Sequence, residues 1–86
     1  HIFITGKVQG VGFRKFTLLK ALQCQLTGWV RNQEDGSVEC FAEGEPDKLE
    51  EFLRFLQAGP KGARVDNIEK RISKSVGFQS FEILIP

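Results

Sequence analysis

At 86 residues, with 12 Lys and Arg against 11 Asp and Glu, the chain has room for one small core and carries almost no net field, which excludes a second domain and a surface built to attract a polyanion such as DNA or RNA. No apolar run approaches the roughly 20 residues of a membrane span, and no basic segment leads into a long apolar stretch at the start, so the expectation is a soluble, cytoplasmic protein without membrane contact. Cys24 and Cys40 have no Cys-x-x-Cys spacing and only one histidine accompanies them, which excludes a protein-built zinc site.

Residues 2–8, with Ile2, Phe3, Ile4 and Val8, are apolar and β-branched enough for a first strand, and residues 13–25 have helical spacing. On that helix Phe13, Thr17, Ala21 and Cys24 form one apolar stripe and Leu18 and Leu22 another. The expectation is that one stripe meets a sheet and the other a second helix in a monomer, with an exposed dimer patch as the alternative. Residues 27–32 read as a second strand and 37–43 as its hairpin partner through Glu34-Asp35-Gly36, because Asp-Gly readily takes tight hairpin geometry. Val38, Cys40 and Ala42 alternate with Glu39, Phe41 and Glu43, the period of two expected from a sheet with one face on a core. Each cysteine is therefore expected to be a small buried hydrophobe, although Cys24 on the inner helix face and Cys40 on the inner strand face leave a disulfide open.

Pro46 suits an early helical position, and Leu49, Phe52, Leu53 and Leu56 recur at helical spacing with Asp47, Glu50 and Glu51 outside. Gly59-Pro60-Lys61-Gly62 stops this second helix, and residues 65–73 and 78–85 read as two more strands separated by Lys74-Ser75-Val76-Gly77. The order β-α-β-β-α-β, with a short C-terminal strand added, suits one α+β domain over residues 1–86: a ferredoxin-like two-layer sandwich, with two helices on one face of a mostly antiparallel sheet. The first four strands are expected in the order 4-1-3-2.

The segment Lys7-Val8-Gln9-Gly10-Val11-Gly12-Phe13-Arg14 turns the first strand into the first helix through glycines. Residues without a Cβ let several N–H groups point into one concave space, and the helix start adds its unpaired N–H groups and the positive end of its dipole. Arg14 adds a planar fork of donors suited to phosphate oxygens. The backbone of Gln9, Gly10, Val11, Gly12 and Phe13 is thus the expected cradle for a monophosphate. Position 15 is Lys, not the third Gly of a dinucleotide fingerprint, and no Gly-Lys is followed by Ser or Thr, so both nucleotide motifs drop out.

In this topology the first and second strands run the same way, which brings Asn32 near the loop. A side-chain amide there can accept a hydrogen bond from water and orient it toward a bound phosphorus; it cannot act as a base. No histidine, cysteine or carboxylate is placed beside Arg14 by the sequence. Cleaving a phosphate monoester without acid help is hard, but an acyl phosphate expels a carboxylate whose conjugate acid has a pKa of about 4 and needs no protonation. Positioning and electrostatic stabilisation then suffice.

These motifs carry a family resemblance. Gly6-Lys7-Val8-Gln9-Gly10-Val11-Gly12-Phe13-Arg14, and Gly28-Trp29-Val30-Arg31-Asn32 followed by Asp35-Gly36-Ser37-Val38, resemble the two signatures of the acylphosphatases, and the likeness extends over nearly the whole chain. The resemblance implies hydrolysis of acyl phosphates to a carboxylate and inorganic phosphate, with Arg14 binding phosphate and Asn32 orienting the attacking water. It implies no cofactor and no metal, inorganic phosphate as product and inhibitor, and the substrate's own phosphate as acceptor of the water proton. Cys24 stands where the family usually has a larger aliphatic residue. Thr17 is expected to bond its own preceding helical turn, Gln9 to serve the loop's shape, and Lys7 and Lys15 to be solvated. Two alternatives stay open: a non-catalytic module holding phosphate or carbamoyl phosphate, as acylphosphatase-like domains do occur inside larger carbamoyl-transfer proteins, and an RNA-binding module, for which an aromatic signature and a basic face are both missing.

Overall fold

The computed structural model describes residues 1–85. Its elements are β1 (Ile2–Lys7), α1 (Phe13–Gln23), β2 (Thr27–Asn32), β3 (Val38–Glu43), α2 (Pro46–Ala58), β4 (Arg64–Lys70) and β5 (Phe81–Ile83). The strands form one sheet in the order β4-β1-β3-β2-β5, antiparallel except where β5 joins β2 in parallel. This is the expected ferredoxin-like α+β sandwich, with the first four strands in the order 4-1-3-2 and a short fifth at the edge.

Local chemistry accounts for the elements. Asp35 and Gly36 turn the β2–β3 hairpin, in which Gln33 N–H donates to the Ser37 carbonyl oxygen at 2.9 Å. Pro46 opens α2, where its missing N–H costs nothing. The inward residues of the sheet (Ile2, Ile4, Val30, Val38 and Cys40) are buried against Phe13, Ala21 and Cys24 of the α1 end and Phe52 and Leu56 of α2. Burying side chains of this size contributes about 1.5–3 kcal/mol each for the larger ones. Both cysteines are free and buried, and burial pushes both thiols up from their ordinary value. They behave as the small hydrophobes expected of them. Thr17 is buried and its hydroxyl donates to the Phe13 carbonyl oxygen at 2.8 Å, in its own preceding turn.

Two expectations need correction. Residues 65–73 and 78–85 do not extend as strands throughout: β4 ends at Lys70 and β5 spans only Phe81–Ile83. The sheet order explains this, because residues 71–80 must cross from the β4 edge to the β5 edge and cannot keep a strand partner on the way. The second stripe of α1 is only partly covered, with Leu18 against the core and Leu22 56% exposed beside Leu19 at 55%. Glu39, which alternates with the core-facing residues of β3, has a buried side chain all the same. It has His1 Nε2 at 2.6 Å and donors from Arg31 Nε at 2.6 Å and Gln33 Nε2 at 3.1 Å, the pairing that a buried carboxylate requires. His1 thereby joins the sheet's outer face against Phe3 and Phe41.

Candidate active site

Residues 8–12 connect β1 to α1 in a loop whose shape depends on two glycines. Gly10 and Gly12 have φ of 72° and 76°, in the left-handed region that other residues enter at a cost. A Cβ on either would meet nothing within 4 Å, so conformation and not space demands glycine there. Gly12 caps α1 without any side-chain hydrogen bond, and no acidic residue occupies the first turn. The N–H groups at the start of α1 are therefore left for an anion, and the helix dipole is not neutralised by a carboxylate.

A second tether fixes the loop against the hairpin. Gln9 Nε2 donates to the Gln33 carbonyl oxygen at 2.7 Å and to the Ser37 carbonyl oxygen at 2.9 Å. Those two carbonyls flank the turn that follows Asn32. The turn is itself braced at Asp35, whose carboxyl the Ser37 hydroxyl and then the Ser37 N–H hold below the ordinary value.

Arg14 and Asn32, on different elements and 18 positions apart, line one cavity of about 270 Å³ with Val8, Gly10, Gly12 and Phe13. Lys15, Ile83 and Ile85 complete its wall. No ion pair among the described residues engages Arg14. The Asn32 Oδ1 atom is buried and has no hydrogen-bond partner among the described residues. A cation without a counter-ion and a buried acceptor without a donor thus share one concave space. An anion that brings a water molecule satisfies both.

Of the residues expected at the site, Gly10, Gly12, Phe13, Arg14 and Asn32 are brought together. Gln9 and Val11 are not in the cavity wall: the Gln9 side chain reaches the hairpin, and Val11 packs on the core. Lys15 does reach the cavity, while Lys7 is an exposed residue of β1 outside it. The signal for Ile83 and Ile85 in the sequence is the alternation Phe81, Ile83, Ile85, whose face is undefined until the strand's partner is known. A larger cavity of about 450 Å³ lies between β1, β3, α2 and residues 70–75 and contains neither Arg14 nor Asn32. Chemistry, not size, identifies the smaller one as the candidate site. Among the described residues no group of three or more His, Cys, Asp or Glu side chains gathers as a metal site.

The acylphosphatase family model matches residues 1–83. The chain belongs to the acylphosphatase family. It is 47% identical over 83 residues to an acylphosphatase of Trichormus variabilis, covering 96% of this chain and 82% of that protein. Among solved structures, an acylphosphatase from Bacillus subtilis matches with a TM-score of 0.94 and 36% identity over 98% of this chain and 94% of that one. The fold also recurs as part of a larger protein: full-length HypF, solved in a phosphate- and nucleotide-bound form, matches with a TM-score of 0.90 and 34% identity over 96% of this chain but 11% of HypF.

Proposed function

We propose that this chain hydrolyses acyl phosphates by direct, in-line attack of water on phosphorus, without a metal or cofactor. Arg14 and the N–H groups of residues 10–14 hold the phosphoryl oxygens, and their fixed positive charge stabilises the negative charge spread over those oxygens in the transition state. Asn32 Oδ1 accepts a hydrogen bond from the nucleophilic water and aims its oxygen at phosphorus. The water oxygen forms the new P–O bond as the bond from phosphorus to the acyl oxygen breaks. The carboxylate leaves with that electron pair, and the water proton passes to a phosphoryl oxygen, giving inorganic phosphate. No general base is needed at Asn32, and the leaving carboxylate needs no acid.

One observation carries the reading: among the described residues, the buried Oδ1 of Asn32 has no partner and lies in the same cavity as an Arg14 that no ion pair engages. Membership in a family of acylphosphatases supports the substrate class. The experiment is hydrolysis of benzoyl phosphate in the presence of a chelator, with Arg14→Gln and Asn32→Ala beside the parent. Both variants stay folded, and each loses on the order of 10²–10³ in kcat, the usual cost of deleting a group that stabilises or positions the transition state. Undiminished turnover in the folded variants removes those two residues from the mechanism, and loss of the parent's activity in chelator removes metal independence.

The likeness to one part of HypF supports a second reading, a module that holds phosphate for a larger assembly. Phosphate binding by a parent that turns over no acyl phosphate is the outcome that favours it.

A further inference from the structure

The acyl end of the substrate has a recognisable environment. β5 pairs with β2 in parallel, with Gly28 beside Phe81, Trp29 beside Glu82 and Val30 beside Ile83. The ladder continues as Leu84 N–H donates to the Val30 carbonyl oxygen at 2.9 Å. Two residues further on, β2 presents Asn32 and the chain after β5 presents Ile85, and both line the cavity that contains Arg14. Alternation along the strand puts Phe81, Ile83 and Ile85 on one side. Phe81 is buried in the core, Ile83 is half-buried, and Ile85 at the open end is 87% exposed. The cavity wall therefore divides into a cationic, N–H-rich side at residues 10–15 and an apolar side at Ile83 and Ile85, with Asn32 between them.

We infer that Ile83 and Ile85 form an acyl-binding wall that favours acyl phosphates with unsubstituted alkyl chains, each added methylene contributing up to the length that the wall covers; this rests on the acyl phosphate reading of the site. With phosphate held by Arg14 and the loop, and Asn32 Oδ1 committed to water, no described lining side chain on the β5 side offers a hydrogen bond to a hydroxyl, ammonium or second carboxylate on the acyl group. A polar acyl group loses hydration there without replacement, and an alkyl chain gains burial against the isoleucines. At about 270 Å³ the cavity falls below the roughly 300–1,000 Å³ of sites for drug-sized ligands, so the chain that fits is short. Ile85 is the rim at which the gain ends.

The test is kcat/KM for acetyl, butyryl, hexanoyl and octanoyl phosphate, whose leaving carboxylates are almost equally basic, so that chain length changes contact and not chemistry. The parent gains up to about fourfold per methylene to the length that passes Ile85 and then levels off. Ile85→Ser lowers hexanoyl phosphate far more than acetyl phosphate and flattens the series; Ile83→Thr, which preserves the branched shape, does the same and guards against a folding defect in any one variant. Leu19→Ser, at another exposed leucine outside the cavity, retains the parent's slope. A flat series in a parent that hydrolyses acetyl phosphate overturns this inference and leaves the proposed function intact. No turnover of any member overturns the function itself and this inference with it.

Discussion

The Gln9 side-chain amide donates to the Gln33 carbonyl oxygen at 2.7 Å, so the loop that holds phosphate is tied to the residue immediately after Asn32. One side chain thereby sets the distance between the two halves of the site. Both carbonyls that Gln9 meets retain other donors, Gly36 N–H for Gln33 and Gln33 N–H for Ser37, so removing Gln9 leaves neither unpaired. Gln9→Ala is expected to cost about 1–2 kcal/mol of stability, two ordinary hydrogen bonds, yet on the order of tenfold to a hundredfold in kcat/KM, because a displacement of an ångström in a positioned site is worth that much. Gln9→Glu, which has the shape but not the donors, shows the same loss. Full activity in either variant, measured beside thermal unfolding, means the loop keeps its place without the tether.

Asn32 should reveal a conflict between stability and function. Its buried Oδ1 has no partner among the described residues, and such an atom carries a desolvation cost of about 1–3 kcal/mol when water does not reach it. Asn32→Leu removes that atom and approximates the shape. The variant is expected to unfold at the same temperature as the parent or up to about 4–8 °C higher, the shift that 1 kcal/mol gives a domain of this size. Its turnover falls as for Asn32→Ala. A clear drop in unfolding temperature places the carboxamide among the fold's own bonds, and the loss of activity then says nothing about a water molecule.

How far the sequence discloses this site depends on whether each contact is local. The loop glycines, the Asp35-Gly36 turn and the alternation in β3 are signals within a few residues, and they suffice to place Arg14 and Asn32 at the same end of two strands running the same way. Gln9 lies in the loop, but its hairpin partners, 24 and 28 residues away, leave no periodic trace in the sequence. Ile83 and Ile85 are not legible as site residues because a three-residue parallel strand acquires its address only from its neighbour β2. Glu39 alternates like a surface residue, and what buries it is the meeting of His1, Arg31 and Gln33 from separate parts of the chain.

Inorganic phosphate should stabilise the folded chain through the same cradle. A ligand that binds only the native state adds RT ln(1 + [L]/Kd), about 1.4 kcal/mol at ten times Kd, which corresponds to roughly 4–8 °C or more in a domain of this size. Arg14→Gln should abolish most of that shift, since among the described residues of this cavity the Arg14 guanidinium alone offers a planar fork that matches phosphate oxygens. Chloride at equal ionic strength serves as the control for general salt effects. Equal shifts in the parent and in Arg14→Gln would locate phosphate binding elsewhere on the surface, and no inhibition of acyl phosphate hydrolysis by phosphate would separate binding from the site.

Acid should release the crossing segment before it unfolds the sheet. The Glu43 carboxylate at the end of β3 accepts hydrogen bonds from the N–H groups of Val76, of Gly77 at 3.0 Å and of Phe78 at 3.2 Å. The Val76 N–H foremost, with Gly77 and Phe78, holds its carboxyl below the ordinary glutamate value of 4.5. A depressed folded-state value means the charged form favours folding: the contribution is complete above pH 4.5 and disappears as pH falls through the lowered value. Glu43→Gln should therefore unfold at a lower temperature than the parent at neutral pH, with the difference shrinking below pH 4.5 until the two coincide. Amide exchange at residues 76–78 should accelerate in the variant at neutral pH while the β2–β3 ladder remains protected. A difference that stays constant into acid would show that Glu43 acts through its size and not its charge, and the carboxylate would then not be what fastens the crossing segment to β3.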